Sequence, residues 1–225
     1  MTASAPTPLT IDFISDVSCP WCAIGLGALE QALARLDGQV QATLRVQPFE
    51  LNPQMGPEGE DIGEHLTRKY GSTPAQQAQV REMIRQRGAD VGFTFAPAGR
   101  GRIWNTFDAH RLLHWAGETG APGRQLALKK ALLAAYQGRG DNPSDRAVLL
   151  AACAEAGLDP AQAAEVLDSG AHADAVRGLE AAWQQAGIHS VPAFVINDRY
   201  LISGGQPPEA FEQALRQIAA EAVAG

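Results

Sequence analysis

The sequence predicts an α/β fold in which a βαβ unit at the start and a ββα unit at the end are separated by a long helical insertion. Three observations carry this. A short apolar segment runs into Cys19-Pro20-Trp21-Cys22 and then into an apolar repeat at helical spacing. The middle of the chain has helical composition almost throughout, and alternating, β-rich segments return only near Val191 to Ile202.

Leu9 to Ile14 is the first strand. Cys22, Leu26, Leu29, Leu33 and Leu36 recur at gaps of four and three, which makes a helix starting at the two cysteines. Gly38 breaks it, and Gln41 to Leu51 resumes as a strand, Leu44 and Val46 alternating with Arg45 and Gln47. Such a unit has a right-handed crossover and parallel strands. It places the cysteines at the carboxyl end of the first strand, where open α/β sheets hold their sites.

Asn52 to Gly59 is a Pro/Gly linker. Helices are expected over Ile62 to Tyr70, Pro74 to Arg87, Thr106 to Glu118, Arg124 to Gln137, Asp145 to Ala156, Pro160 to Leu167 and His172 to Gln185. Ser72 or Thr73 caps before Pro74, Asn142-Pro143-Ser144 precedes the Asp145 helix, Asp159 caps before Pro160, and Gly117, Gly138, Gly157 and Gly187 mark ends. No fixed-period repeat is present, so the insertion reads as a bundle and not a solenoid. Val191 to Ile196 and Tyr200 to Ile202 form a hairpin turned by Asn197-Asp198. Gly204-Gly205-Gln206-Pro207 then leads into a last helix with Phe211, Ala214, Leu215, Ile218 and Ala222 on one face. Residues 1–52 and 187–225 therefore read as a discontinuous sheet domain, and 53–186 as an inserted helical domain.

At 225 residues and 45% hydrophobic, the chain can bury a full core, while a net charge of -7 argues against nucleic acid and anionic membrane surfaces as partners. Met1 to Pro8 has no basic start and no apolar run, so it does not read as a secretory signal. No stretch approaches the ~20 apolar residues of a membrane span. A cytoplasmic location follows as the expectation, and there a CxxC pair is more often catalytic than structural. No signal for an oligomeric state is present.

A thiol at a helix start faces unsatisfied backbone NH groups and the positive end of the helix dipole, so its anion is favoured. Cys19 is expected to be the exposed nucleophile, and Cys22, one turn further in, the resolving thiol. The same spacing is half of a zinc site, but two further ligands are needed and the third cysteine, Cys153, stands alone in an alanine-rich stretch as a small buried hydrophobe. Pro20 and Trp21 lie between the thiols, and Trp21 should be largely exposed as an apolar contact for substrate. Proline at the mouth of a strand is unusual, so Val191-Pro192 is expected to be cis, with the Val191 backbone aimed at Cys19 to pair with an extended peptide or a tripeptide thiol. The competing reading is a trans proline on an edge strand. Ser203 to Gln206, including Gly204, offers backbone NH groups to an anion such as a glutathione carboxylate, or merely caps the last helix. His110 and His114 are four apart, as metal ligands can be, but no motif places a third ligand and no metal is expected. Arg111 should point away from the apolar face of that helix. His189 reads as an exposed loop residue that could otherwise lower the pKa of Cys19.

The order of these parts resembles the DsbA-like branch of the thioredoxin superfamily, nearest to FrnE-type cytoplasmic oxidoreductases and related to 2-hydroxychromene-2-carboxylate isomerases and kappa-class glutathione transferases. The likeness rests on Asp16 to Cys22, Ile24-Gly25, Asn105-Thr106 with Ala109 to Leu112, Val191 to Ile196, and Ile202 to Gly204 with Gln206. It implies a thioredoxin-like fold with an inserted helical domain, an attacking Cys19, a resolving Cys22 and a cis Pro192. It also places Asn105 and His110 over the active-site cleft, although a histidine hydrogen-bonded at the domain boundary is an equal reading. Relatives with serine in place of Cys19 bind glutathione and isomerise or conjugate small molecules; cysteine here favours dithiol chemistry. Ala23, Leu26 and Gly205 depart from the family's usual residues. The function implied is a thiol-disulfide oxidoreductase, acting on a disulfide-bearing protein or a small thiol, with no tightly bound cofactor and glutathione as a co-substrate. The alternatives are a glutathione-dependent isomerase or transferase for an aromatic small molecule, and a non-catalytic redox-sensing module.

Overall fold

Strand β1 (Thr7–Ser15) is the axis of the sheet. On one side it pairs in parallel with β2 (Val40–Pro48), from Thr7 opposite Val40 to Ser15 opposite Pro48, the two joined by α1 (Pro20–Arg35). Its other side pairs antiparallel with β5 (Ala193–Ile196), which turns back as β6 (Tyr200–Ser203), giving the order β2-β1-β5-β6. The structure, a computed structural model, describes residues 5–119 and 121–224. Residues 1–4 of the Met1 to Pro8 segment lie outside the described residues.

Between β2 and β5 run α2 (Ile62–Tyr70), α3 (Pro74–Asp90), α4 (Phe107–Thr119), α5 (Arg124–Leu133), α6 (Arg146–Glu155), α7 (Pro160–Ser169) and α8 (Ala173–Gln185), and α9 (Pro208–Ala224) closes the chain. Start signals act as their chemistry requires. Thr73, not Ser72, caps α3 in a reciprocal capping box with Gln76, while the Asp145 and Asp159 carboxylates accept the first NH groups of α6 and α7. The hairpin turn holds Asn197 and Asp198 at φ 51° and 54°, the left-handed pair that a two-residue β-hairpin needs.

Alternation along β1 sorts the sheet's two faces. Leu9, Ile11 and Phe13 join α1 and α9, where Phe13 stacks on Phe194 at 4.9 Å and Phe194 meets Phe211 edge-on at 4.9 Å. Each such aromatic pair contributes about 0.5–1.5 kcal/mol beyond its buried area. Ile14, on the opposite face, packs with Phe49, Ile188 and Ala193. Leu112, Leu128, Leu132 and Tyr136 of the helical segment belong to the same hydrophobic cluster as β1 and α1. The edge of β2 is covered by Gln125, whose amide accepts from Val46 NH at 2.9 Å and donates to Val46 carbonyl at 3.0 Å as another strand would.

Several local expectations are corrected. β2 stops at Pro48 rather than Leu51, because the Leu51 NH turns to the Asp16 carboxylate at 2.8 Å. The α5 helix widens into a π-helical turn at Ala134–Arg139, so Gly138 lies inside it, and Gly117 lies inside α4. Asn105 and Thr106 precede α4 instead of starting it. Arg111 turns inward: its guanidinium donates to the Ala171 carbonyl at 2.8 Å and to Val166. Two strands of two residues, β3 (Glu60–Asp61) and β4 (Arg102–Ile103), pair in one antiparallel ladder and carry no periodic signal in the sequence. Among the described residues no helix is long and apolar enough to cross a membrane.

Candidate active site

Cys19 is the N-cap of α1, with Pro20 in the first turn, where a residue without an NH loses nothing. Its own NH donates to the Asp16 carbonyl at 3.2 Å, and the Ser18 NH to the Asp16 carboxylate at 3.0 Å, so Asp16 shapes the turn that delivers the thiol. The π-helical turn braces the same loop: Gln137 Nε2 donates to the Val17 carbonyl at 2.7 Å, and Arg100, lying 5.3 Å over the Tyr136 ring, donates to Ser18 carbonyl. A wide turn at a functional site is a recurrent use of π geometry.

The Val191-Pro192 bond is cis, as expected, and it sets the Val191 carbonyl 3.5 Å from Cys19 Sγ, which donates to it. Gly25 makes that approach feasible. A Cβ there would stand 3.1 Å from Pro192 Cγ and 3.2 Å from the Phe194 ring, so a larger residue would press α1 against Pro192 and the start of β5.

The two thiols are driven apart electrostatically. The Cys22 thiol, hydrogen-bonded to Cys19, is the main influence lowering the Cys19 pKa; burial opposes it, the backbone NH groups of Cys22 and Trp21 add to it, and the charge of Asp16 works against it. Cys22 is pushed well above the ordinary thiol value, first by burial and then by its bond to Cys19, with Lys129 pulling it back. Burial alone would raise the Asp16 carboxyl, but His110 and the Leu51 and Ser18 NH groups outweigh it and leave it lowered. Lys129 is wholly buried, has no hydrogen-bond partner for its ammonium among the described residues, and lies 5.8 Å over the Phe13 ring; burial lowers its pKa.

Cys19 is only 3% exposed, so the expectation of an exposed sulfur is corrected: the Val191 carbonyl and the Arg100-braced loop close over it. Trp21 is likewise half-buried, because Gly205 sits against it with space for only a tight Cβ contact at 3.3 Å. The turn from Ser203 to Gln206 is thus brought beside the dithiol. Two of its donors are already spent: Gly204 NH bonds the Pro192 carbonyl at 2.8 Å, and Gln206 NH the Gly204 carbonyl at 2.9 Å. Gln206 Nε2 also turns back to the Ser203 carbonyl at 2.9 Å, and Pro207 and Pro208 bring no NH to the start of α9. His110 lies under the site with Nε2 3.4 Å from the Asp16 carboxylate. Asn105 is tied elsewhere, donating to the Met55 carbonyl and accepting from Phe107 NH, both at 2.9 Å. His189 is exposed, and Cys153 is buried with its thiol pushed up to about 12 by that burial.

Lys129, Gln137, Arg100 and Tyr136 were missed, and so was the bracing role of Asp16. Only Lys129 left a trace: it falls on the stripe of Gln125, Leu128 and Leu132, where a lysine is out of place.

Residues 10–216 match the family described as DSBA-like thioredoxin domain. Among solved structures, a probable DsbA oxidoreductase of Streptomyces coelicolor is 34% identical with a TM-score of 0.83, covering 93% of this chain and 89% of that one. A 2-hydroxychromene-2-carboxylate isomerase, 16% identical, reaches a TM-score of 0.70 over 95% of this chain and 98% of its own. The cytosolic disulfide reductase DsbM of Pseudomonas aeruginosa, solved with GSH, is 18% identical with a TM-score of 0.63 over 92% of this chain and 98% of that one. At these two lower identities the likeness is one of fold.

Proposed function

Because this chain belongs to the DSBA-like thioredoxin domain family, whose thioredoxin-like fold it shares with disulfide oxidoreductases and an isomerase, we propose that it is a cytoplasmic thiol-disulfide oxidoreductase working through Cys19 and Cys22. The observation that carries this is the opposed displacement of the two thiols at one helix start, beside the Val191 carbonyl.

The chemistry follows from who holds the proton. Neutral Cys19 donates to the Val191 carbonyl; ionised, it has no proton to give, and that carbonyl is released to pair with the backbone of an arriving peptide or tripeptide thiol. Thiolate Cys19 attacks one sulfur of the substrate disulfide, a Cys19-substrate disulfide forms, and the other substrate sulfur leaves as a thiolate that takes up a proton. Cys22 then loses its proton and attacks Cys19 Sγ, expelling the second substrate sulfur. Two electrons pass to the substrate, and Cys19-Cys22 ends as the disulfide. Run backwards, the same steps oxidise a dithiol. The cation of Lys129 favours the Cys22 anion as it forms.

A small thiol of the glutathione class is the co-substrate that returns the pair to its starting state, a reading supported by the fold shared with DsbM. The half-buried Trp21 and the turn at Gly205 form the wall against which that thiol or a peptide would lie.

The test is trapping. Cys22→Ser incubated with an oxidised peptide should accumulate a mixed disulfide mapped by mass spectrometry to Cys19, and Cys19→Ser should turn over no disulfide. Full turnover by Cys19→Ser ends the reading. Saturable glutathione binding with no disulfide turnover would replace it with a glutathione-dependent isomerase, and a single oxidation without turnover with a redox-sensing module.

A further inference from the structure

Away from the dithiol, three side chains from two distant parts of the chain converge on one point. His114 and Glu118 lie one turn apart on α4, and His172 is the residue before α8. His114 Nε2 stands 3.2 Å from one Glu118 carboxylate oxygen, His172 Nδ1 stands 3.3 Å from the other, and the three ligand atoms lie within 4.8 Å of one another. We propose that His114, Glu118 and His172 form a binding site for a divalent transition-metal ion of the zinc class.

The distances fit that ion. Zinc bonds to nitrogen and oxygen of about 2.0–2.1 Å in tetrahedral geometry separate ligand atoms by about 3.4 Å. Each imidazole nitrogen already stands about that far from the Glu118 carboxylate, 3.2 and 3.3 Å from different oxygens, and a rotation of the partly exposed side chains brings both onto a single oxygen. Two imidazoles and one carboxylate are the donor set that suits zinc and its neighbours over magnesium or calcium.

One observation points to a missing ligand. Among the described residues His114 Nε2 is buried and makes no hydrogen bond, its 3.2 Å approach to Glu118 lacking the alignment of one, an expense that a metal-nitrogen bond would remove. His172 holds a left-handed backbone, φ 64°, at the N-cap of α8. Its position is also built: Arg111, turned inward on α4, fixes the neighbouring Ala171 carbonyl at 2.8 Å. The pair His114 and Glu118 at helical spacing is legible in sequence, while the third ligand is supplied by the fold.

With three protein ligands the fourth position is open to water, and the bound ion would tie α4 to the start of α8.

Because thiols also bind zinc, the test uses the Cys19→Ser/Cys22→Ser protein titrated with Zn2+ alone by calorimetry. One equivalent should bind, Mg2+ and Ca2+ should not compete, and His114→Ala or His172→Asn should each weaken binding at least tenfold. Asparagine is chosen at 172 because it tolerates the left-handed backbone, and circular dichroism of each variant confirms that it is folded. Co2+ should give visible bands without the near-ultraviolet band of a thiolate ligand. Failure of the doubly substituted protein to bind Zn2+, or undiminished binding in both histidine variants, overturns the site.

Discussion

Replacing Lys129 by methionine should make the protein more stable and its catalytic cycle slower, a combination that few substitutions produce. The ammonium is fully buried and has no hydrogen-bond partner. A buried donor left in that state costs about 1–3 kcal/mol, and methionine fills the same volume without it. For a chain of this size each 1 kcal/mol is worth about 2–4 °C in Tm. The pH dependence has a definite sign. The folded pKa of Lys129 is lowered, so the unfolded chain binds the proton more tightly, and the cost is full at low pH and fades as pH rises toward the ordinary lysine range. The gain from Lys129→Met should therefore shrink as pH rises from the lowered folded value toward the ordinary lysine range. Kinetically, Lys129 lowers the pKa of Cys22. Each tenfold loss of Cys22 thiolate is repaid by only about threefold in intrinsic nucleophilicity, so resolution should slow about threefold per decade of thiolate lost. Thermal melts across pH and rapid-quench measurement of the mixed disulfide read the two effects. A variant that melts lower and resolves at the parent rate would refute the reasoning.

Gly25→Ala sets two effects against each other: the helix gains about 1 kcal/mol from alanine, but the new Cβ lies 3.1 Å from Pro192 Cγ and overpacking costs about 1–3 kcal/mol. A net loss of stability with a larger loss of turnover is expected in urea melts and disulfide-reduction assays; a gain of the full alanine increment would contradict it. Asp16→Asn should cost about 1–3 kcal/mol at pH 7, since one of two buried acceptors for the Ser18 and Leu51 NH groups is lost. The Asp16 carboxyl is lowered in the fold, so its contribution is present above the ordinary carboxylate range and disappears as pH falls through the folded value; the two proteins should converge in acid urea melts. The same substitution removes a charge that raises Cys19, so Cys19 in the variant should alkylate faster at low pH.

Much of this was readable because single residues dictate local geometry. A CxxC after an apolar strand, proline in the first turn of a helix and a Val-Pro at a strand mouth each leave few choices, and the βαβ unit, the cis bond and the pairing of Cys19 with Val191 followed from them. The shared fold of the family was legible for the same reason. What escaped depends on contacts between segments far apart in sequence. Cys19 was expected to be exposed because a helix start is usually open, but the Val191 carbonyl lies 3.5 Å from its sulfur and Arg100 ties down the neighbouring Ser18 carbonyl. Lys129 and Lys130 are neighbours with the same side chain, one buried beside the dithiol and the other on the surface paired with Glu30 at 2.9 Å; only packing separates them. The Asn105 amide serves the Met55 carbonyl, a partner 50 positions away that no local pattern announces. His172 lies far along the chain from His114, with no periodic signal linking them.

The central claim is that Cys19 alone carries a readily formed thiolate while Cys22 holds its proton. The pH dependence of alkylation of the reduced protein, with each adduct mapped by mass spectrometry, measures it directly. The expected result is one rapidly modified thiol, Cys19, titrating below the ordinary thiol range, with Cys22 silent until well above it. Primary modification at Cys22, or both thiols titrating together in the ordinary range, would contradict the account.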